Sequence, residues 1–335
     1  MCDYDQNPVD SNINEVFVME LLKAIALLLV GFVLLIKGAD YFVEGSSSVA
    51  KKLRVPSLIV GLTIVAMGTS LPELSVSINA SLANSNALAV SNVIGSNIFN
   101  LMVVLGASAL MNAIEVDEGV IKKDFPFTIA CAALLLALGW WGMALGRGDG
   151  LIFLAIFVGF ILYQVLTAMK ARKAALSEAE DDDEIKDVSL LLAFAYIVGG
   201  AVAVRFGGDW VVSGAKTIAA LCGMSENLIG LTIVALGTSL PELVTSVVAA
   251  KKNELDMAVG NVVGSNVFNI LMILGVASAL SPITFIMENV VDIAVLIGFS
   301  LLVWLVCATK KRLDRMEGAL MLAIYVAYAV YICLR

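Results

Sequence analysis

Apolar residues run along this chain in long stretches separated by short polar breaks, without the two-residue alternation of a half-buried strand. Ten stretches stand out, at 17–43, 56–82, 87–111, 125–145, 150–169, 188–212, 225–250, 256–281, 290–308 and 317–334. An α-helix needs ~20 apolar residues to cross a bilayer, and it satisfies its own backbone while doing so. A transmembrane barrel would show short alternating segments instead. The pattern predicts an all-α, polytopic membrane protein of ten transmembrane helices. The longest polar break, 170–187 (KARKAALSEAEDDDEIKD), divides five spans from five. It reads as a cytoplasmic linker between a first membrane unit, 17–169, and a second, 188–335. Residues 1–16 read as an extracellular tail.

Basic residues orient the spans. Fifteen of the 21 Lys and Arg lie in the breaks after spans 1, 3, 5, 7 and 9, among them Lys51, Lys122, Lys170, Lys251 and Lys310. That side is expected to be cytoplasmic, in a cell (inner) membrane, with both termini outside. The first fifteen residues, MCDYDQNPVDSNINE, lack the basic start of a signal peptide.

The chain also repeats itself. GLTIVAMGTSLPEL at 61–74 returns as GLTIVALGTSLPEL at 230–243, matching at thirteen of fourteen positions with an offset of 169. The same offset carries NVIGSNIFN (92–100) onto NVVGSNVFN (261–269), and Asp40 onto Asp209. The first copy follows a basic loop and the second precedes one, so the two run in opposite directions through the membrane. Inverted repeats of this kind place a substrate site at mid-membrane, where the halves meet.

Composition narrows the choice. Hydrophobic residues make up 60% of the chain and charged residues 15%, against roughly 45–50% and 25% in soluble domains. That excludes a soluble enzyme, and no enzymatic activity is indicated. The net charge of −8 gives no hold on nucleic acid. Histidine is absent, and the five cysteines form no C-x-x-C pair. A zinc centre and a disulfide framework are both unsupported. The lipid bilayer is the one surrounding partner indicated, with neither a cofactor nor an obligate protein partner.

The repeated residues carry the chemistry. Pro72 lies in mid-span and has no N–H, so the helix is expected to unwind over Gly68–Pro72 and bare carbonyl oxygens; Pro241 repeats this. Glu73 and Glu242 follow directly. A carboxylate at a helix centre costs about 2.5–3.5 kcal/mol on insertion scales. No Lys or Arg in either motif offsets it, which leaves a bound cation as counter-charge. Ser70 and Ser239 stand three residues before the acids, on the same helical face. In spans 3 and 8, Asn92, Ser96 and Asn100, and likewise Asn261, Ser265 and Asn269, form stripes of four-residue period. All these groups are hard oxygen donors, suited to calcium or sodium rather than to softer metals.

These paired motifs resemble the repeats of the sodium/calcium exchanger branch of the calcium:cation antiporter family, prokaryotic type, over nearly the whole chain. The resemblance implies that Glu73 and Glu242 ligate Ca²⁺ and share in Na⁺ binding. Ser70, Ser239, Ser96 and Ser265 would line flanking Na⁺ sites, completed by backbone carbonyls of Ala66, Thr69, Ala235 and Thr238. Asn100 and Asn269 would sit at the centre. Ser91 departs from the family's glycine, which Gly260 keeps. Potassium-coupled relatives carry Asp where this chain has Asn269. The resemblance therefore implies electrogenic, K⁺-independent Na⁺/Ca²⁺ antiport by alternating access, with spans 1 and 6 sliding over the rest. A H⁺/Ca²⁺ antiporter, or one for another divalent cation, is the alternative. A cation channel is a different class, and a membrane protease with paired acids is another; no nucleophile supports the latter.

Other repeated or charged features read more plainly. Asn92 and Asn261 divide between the site and interhelical contacts. Asp40 and Asp209 read as structural residues at span ends. The acidic run 178–184 reads as a solvated linker, and Trp140, Trp141 and Trp210 as interfacial aromatics.

Overall fold

A computed structural model describes residues 8–82, 86–178, 189–224, 233 and 235–334. Most of the acidic run and nearly all of 225–234, the first part of predicted span 7, lie outside the described residues. In chain order the helices are α1 (Pro8–Leu53), α2 (Ser57–Thr69) and α3 (Leu71–Leu82). Next comes α4, built from Asn86–Phe99, a π turn Asn100–Val104 and Leu105–Met111. Helix α5 joins a π turn, Val120–Asp124, to Phe125–Trp140, and α6 is Arg147–Glu178. Helix α7 is Leu190–Leu221 and α8 is Leu240–Lys251, the latter preceded by the turn Ala235–Gly237. Helix α9 comprises Leu255–Phe268, a π turn Asn269–Ile273 and Leu274–Leu280; α10 is Met287–Lys310 and α11 is Arg315–Leu334. Among the described residues seven helices are long and apolar enough to cross a membrane, or eight when the bent pair α2–α3 counts as one span. The chain is a multi-pass membrane protein.

Several helices outrun the apolar stretches that predict them. Helix α1 starts at Pro8 and ends at Leu53, where span 1 was 17–43, and α7 continues to Leu221 rather than 212. Hydropathy marks the part of a helix that sits in hydrocarbon. The helix itself continues wherever polar residues keep their backbone ladder, as the 40–53 segment of α1 does. Helix α5 is displaced the other way, ending at Trp140 rather than 145, because Gly142 and Met143 take positive φ (86° and 49°) and turn the chain.

Burial is inverted relative to a soluble protein. The most apolar windows of α4 and α9 are 78% and 83% buried, whereas those of α1, α6 and α7 are 17–22% buried and turn Leu, Val and Phe side chains outward. Lipid is as apolar as leucine, so contact between helices rests on close packing of small residues. A glycine seam joins α1 to α7. A Cβ on Gly207 would fall 2.5 Å from the Leu35 nitrogen, and one on Gly214 would fall 2.6 Å from the Ala24 oxygen. Each helix of this pair also covers one break: the Phe42 ring lies against Gly68 and the Val212 side chain against Gly237.

Two short antiparallel pairings tie the ends of the bundle. Ile114–Glu115 (β1) pairs with Arg312–Leu313 (β4), and Ala144–Leu145 (β2) with Ile283–Thr284 (β3). Met143 and Lys311, the residues before β2 and β4, share the left-handed conformation with φ of 49° and 52°.

Candidate cation site

The break in the first motif is confined to one residue. Ser70 stands at φ −85° and ψ 10°, and the axes of α2 and α3 diverge there by 48°. The expected run of bared carbonyls is shorter than the proline alone suggested. Ser70 N–H still donates to the Ala66 carbonyl and Leu74 N–H to the Ser70 carbonyl, so the ladder resumes at once. In the second motif the helical turn Ala235–Gly237 stops before Thr238, and Ser239 is the N-cap of α8, with φ −93° and ψ 6°; Leu243 N–H donates to the Ser239 carbonyl as the new helix begins.

Glu73 and Glu242 therefore each sit in the first turn of a new helix, α3 and α8. The positive end of a helix dipole favours a carboxylate there. Both residues are 0% exposed, and none of the ion pairs among the described residues includes either one. Their partners cross between the two motifs. The Ser70 hydroxyl donates to Glu242 Oε1 at 2.8 Å, and the Ser239 hydroxyl to Glu73 Oε1 at 3.2 Å. An N-cap serine normally accepts a bond from its own helix. Ser239 makes no such cap bond and turns to the opposite acid instead. The serines of α4 and α9 close the two clusters, with Ser265 at 3.1 Å from Ser70 and Ser96 at 3.1 Å from Ser239.

The threonines follow the same plan. Thr69 donates to Asn261 Oδ1 at 3.1 Å and lies beside Glu242, while Thr238 lies toward Glu73 without closing a hydrogen bond. Ala66 gives its carbonyl to Ser70 N–H, with the Thr69 hydroxyl also 3.3 Å away; Ala235 opens the turn before Ser239. Asn100 and Asn269 begin the π turns of α4 and α9, both 0% exposed. Helix α3 packs on the π turn of Asn269, and α8 on that of Asn100. π turns of this kind recur at functional sites.

Asn92 and Asn261 are interhelical contacts: Asn261 donates to Ser246 at 2.8 Å and Asn92 to Ser77 at 3.5 Å. Asp40 and Asp209 are ion-paired, to Lys252 and Arg205. Two buried residues escaped the four-residue stripe. Asn97 Nδ2 donates to the Asn266 carbonyl at 3.1 Å, and Asn266 Nδ2 to the Asn97 carbonyl at 3.2 Å. Their signal was a three-residue spacing to Asn100 and Asn269, repeated at the same offset of 169.

What remains unpaired defines the chemistry. Glu73 Oε2, Glu242 Oε2, Asn100 Oδ1 and Asn269 Oδ1 are buried acceptors without a hydrogen-bond partner. Leaving such groups unsatisfied costs ~1–3 kcal/mol each, and more for charged ones. A hard cation accepts several oxygens of this type. No cluster of three or more His, Cys, Asp or Glu side chains occurs among the described residues, in keeping with two carboxylates supplemented by neutral oxygens.

Over most of its length the chain is similar to known proteins. A family model described as sodium/calcium exchanger protein matches residues 23–166 and 192–334. The putative antiporter CaxA of Alkalimonas amylolytica is 39% identical over 329 residues, covering 92% of this chain and 98% of the relative. The sodium/calcium exchanger MaX1 of Methanosarcina acetivorans is 31% identical, covering 91% and 97%. A structure of the sodium-calcium exchanger NCX_Mj soaked with Na⁺ and Sr²⁺ superposes with a TM-score of 0.80 at 33% identity, over 92% of this chain and 98% of that one. With both repeats inside the matched segments, the chain belongs to the sodium/calcium exchanger family.

Proposed function

We propose that this protein is a secondary active antiporter that exchanges Na⁺ for Ca²⁺ by alternating access. The observation that carries the reading is the pair Glu73 and Glu242. Each is fully buried, each is held through one oxygen by a serine of the opposite motif, and each keeps its second oxygen without a protein partner. One Ca²⁺ neutralises two carboxylates, as do two Na⁺, so the two cargoes compete and cross one at a time. A third Na⁺ would carry surplus charge and make the exchange electrogenic. Ser70, Ser239, Ser96 and Ser265, with carbonyls of Ala66, Thr69, Ala235 and Thr238, serve Na⁺. Asn100 and Asn269 lie at the centre. Asn269 adds no third charge, and this favours K⁺-independence.

In this reading the chain makes ten spans in two inverted five-helix units, 17–169 and 188–335. The 170–187 linker and the basic loops are cytoplasmic, and both termini are outside. The recurrence at the repeat offset of the crossed serine–glutamate bonds and of the π turns at Asn100 and Asn269 supports it. Both units contribute to one site, as alternating access requires.

The test is radioactive calcium uptake into proteoliposomes, with outward Na⁺, K⁺ and H⁺ gradients applied one at a time. Uptake driven by Na⁺ alone and abolished by Glu73→Gln is expected. Uptake driven only by a pH gradient would replace Na⁺ by H⁺ as the coupling ion. Calcium currents without any gradient coupling would mean a channel.

A further inference from the structure

The four central asparagines are related in pairs by the repeat, yet they are not bonded alike. Asn97 uses its whole amide: Nδ2 donates to the Asn266 carbonyl at 3.1 Å, and Oδ1 accepts from Asn269 Nδ2 at 3.0 Å. A backbone carbonyl can only accept. That fixes which end of the Asn97 amide is oxygen, which in turn requires Asn269 to present its NH₂ to Asn97. The Asn269 oxygen is left facing away, without a partner. The mirror relation would have Asn100 Nδ2 donate to Asn266 Oδ1. Instead Asn100 Nδ2, Asn100 Oδ1 and Asn266 Oδ1 all lack partners, although Asn266 keeps its bond to the Asn97 carbonyl at 3.2 Å.

We propose that Asn97 is a positioning residue that locks the Asn269 amide with its oxygen toward the transported cation, while the Asn100 amide stays free to turn. The two central asparagines then contribute unequally, one as a fixed oxygen ligand and one as an adjustable one. Asn97 touches no cargo itself. It acts by denying the Asn269 amide its alternative orientation, in which an NH₂ group would meet the cation. Asn266 is an internal control, since it makes the same reciprocal bond to backbone and orients neither central amide.

This inference rests on the proposed antiport reading, and one experiment separates the two. Equilibrium ⁴⁵Ca binding and Na⁺-driven uptake are measured on full-length protein for Asn97→Ala, Asn266→Ala, Asn269→Asp and the double variant Asn97→Ala/Asn269→Asp. The expected result is about a tenfold rise in half-saturating Ca²⁺ for Asn97→Ala, the scale of one lost hydrogen bond, and at most a two- to threefold rise for Asn266→Ala. A carboxylate presents two acceptors and needs no orienting, so Asn97→Ala should cost nothing in the Asn269→Asp background. Equal losses for Asn97→Ala and Asn266→Ala, or the same tenfold loss in both backgrounds, would make Asn97 merely structural and overturn the proposal. If Asn97→Ala fails to fold, Asn97→Leu takes its place with the same expectations: it keeps roughly the volume of the amide but can neither donate nor accept. Unmodified protein that neither binds nor exchanges Ca²⁺ would instead end the antiport reading.

Discussion

Replacing Lys252 should loosen one side of the bundle. Lys252 lies in the corner between α8 and α9. Its Nζ is 2.7 Å from Asp40 Oδ1, 3.3 Å from Glu44 Oε2 and 3.0 Å from the Asp40 carbonyl, all on α1. Glu254 in the same corner accepts from Ser47 and lies 3.9 Å from Lys51. Beside this corner the first half of α2 is pressed onto α9. A Cβ on Gly260 would fall 2.6 Å from the Leu58 oxygen, and one on Gly264 2.6 Å from the Leu62 oxygen. If α1 and α7 slide during transport, these ion pairs must break before that side opens. The Lys252 side chain is 31% exposed and its partners 37% and 44%. Each pair is therefore worth a surface value of about 0.2–1 kcal/mol, and the two together roughly 0.4–2 kcal/mol. At 1.4 kcal/mol per factor of ten, that is about a two- to thirtyfold shift between closed and open.

Hydrogen exchange on residues 57–65 measures this opening directly. Lys252→Met, which keeps the apolar stem, should speed exchange there by that factor. High salt should move the unmodified protein the same way, because partly exposed pairs are screened. Burial works to lower the Lys252 pKa, but Asp40 and Glu44 outweigh it and hold the ammonium above its ordinary 10.5. A raised base contributes fully below its unfolded pKa and fades only as pH climbs through the raised value. No change is therefore expected between roughly pH 6 and 9. The swap Lys252→Asp with Asp40→Lys should restore slow exchange. Unchanged exchange in Lys252→Met, with Gly264→Val raising it in parallel as a positive control, would refute the reasoning.

Glu73→Gln and Glu242→Gln should abolish Ca²⁺ uptake to a similar extent, since each acid has the same burial and the same crossed serine; a large difference in ⁴⁵Ca assays would argue against shared ligation. Ser70→Ala and Ser239→Ala each remove a charge-assisted bond worth about 1.5–3 kcal/mol, so half-saturating Na⁺ should rise at least severalfold in uptake titrations. Gly207→Ala places a methyl 2.5 Å from the Leu35 nitrogen; overpacking of about 1–3 kcal/mol should lower the thermal midpoint of the purified protein. Glu118, hydrogen-bonded to Lys122 and Lys311, has its carboxyl held down at about 2 from an ordinary 4.5. A depressed acid contributes above its unfolded pKa and is lost as pH falls through its folded one. Thermal scans of Glu118→Gln against the unmodified protein should therefore differ at pH 6 and converge near pH 2.

Much of the architecture was legible because lipid permits few solutions. Long apolar runs must be helices, so spans 2, 3, 8, 9 and 10 were placed to within about three residues of the described segments. The carboxylates were legible for a related reason: a Glu in mid-span without a basic neighbour has to be accounted for by function. The pairing was not. Ser70 and Glu73 share a helical face in the sequence, yet the hydroxyl reaches Glu242, because the break at Ser70 turns it out of its own helix toward the other motif. Asn97 does not stand out in the sequence because a four-residue stripe captures one face of α4, and the contact with Asn266 lies on the adjacent three-residue row.

A sequence repeat cannot say which of two mirror-related packings a molecule adopts, since the motifs that match are the ones that cannot choose. The choice falls to residues outside the match. Gly260 and Gly264 are covered by α2, whereas Ser91 and Gly95, their counterparts on α4, are exposed. The Ser91 hydroxyl is held by Asn289 Nδ2 at 3.1 Å, and its Cβ occupies the place where Gly260 lets a backbone approach within van der Waals contact. Lys252 also has no basic counterpart, because the repeat offset leads to Ala83. Both differences favour the same outcome, with the packing of α2 on α9 kept tight and the ion pairs of Lys252 added to it. Installing glycine at position 91 and lysine at position 83 should therefore move the molecule toward the opposite packing. Hydrogen exchange would show this as slower exchange around Gly95 and faster exchange over residues 57–65. If both segments instead slow together, or neither responds, the asymmetry does not originate in these residues.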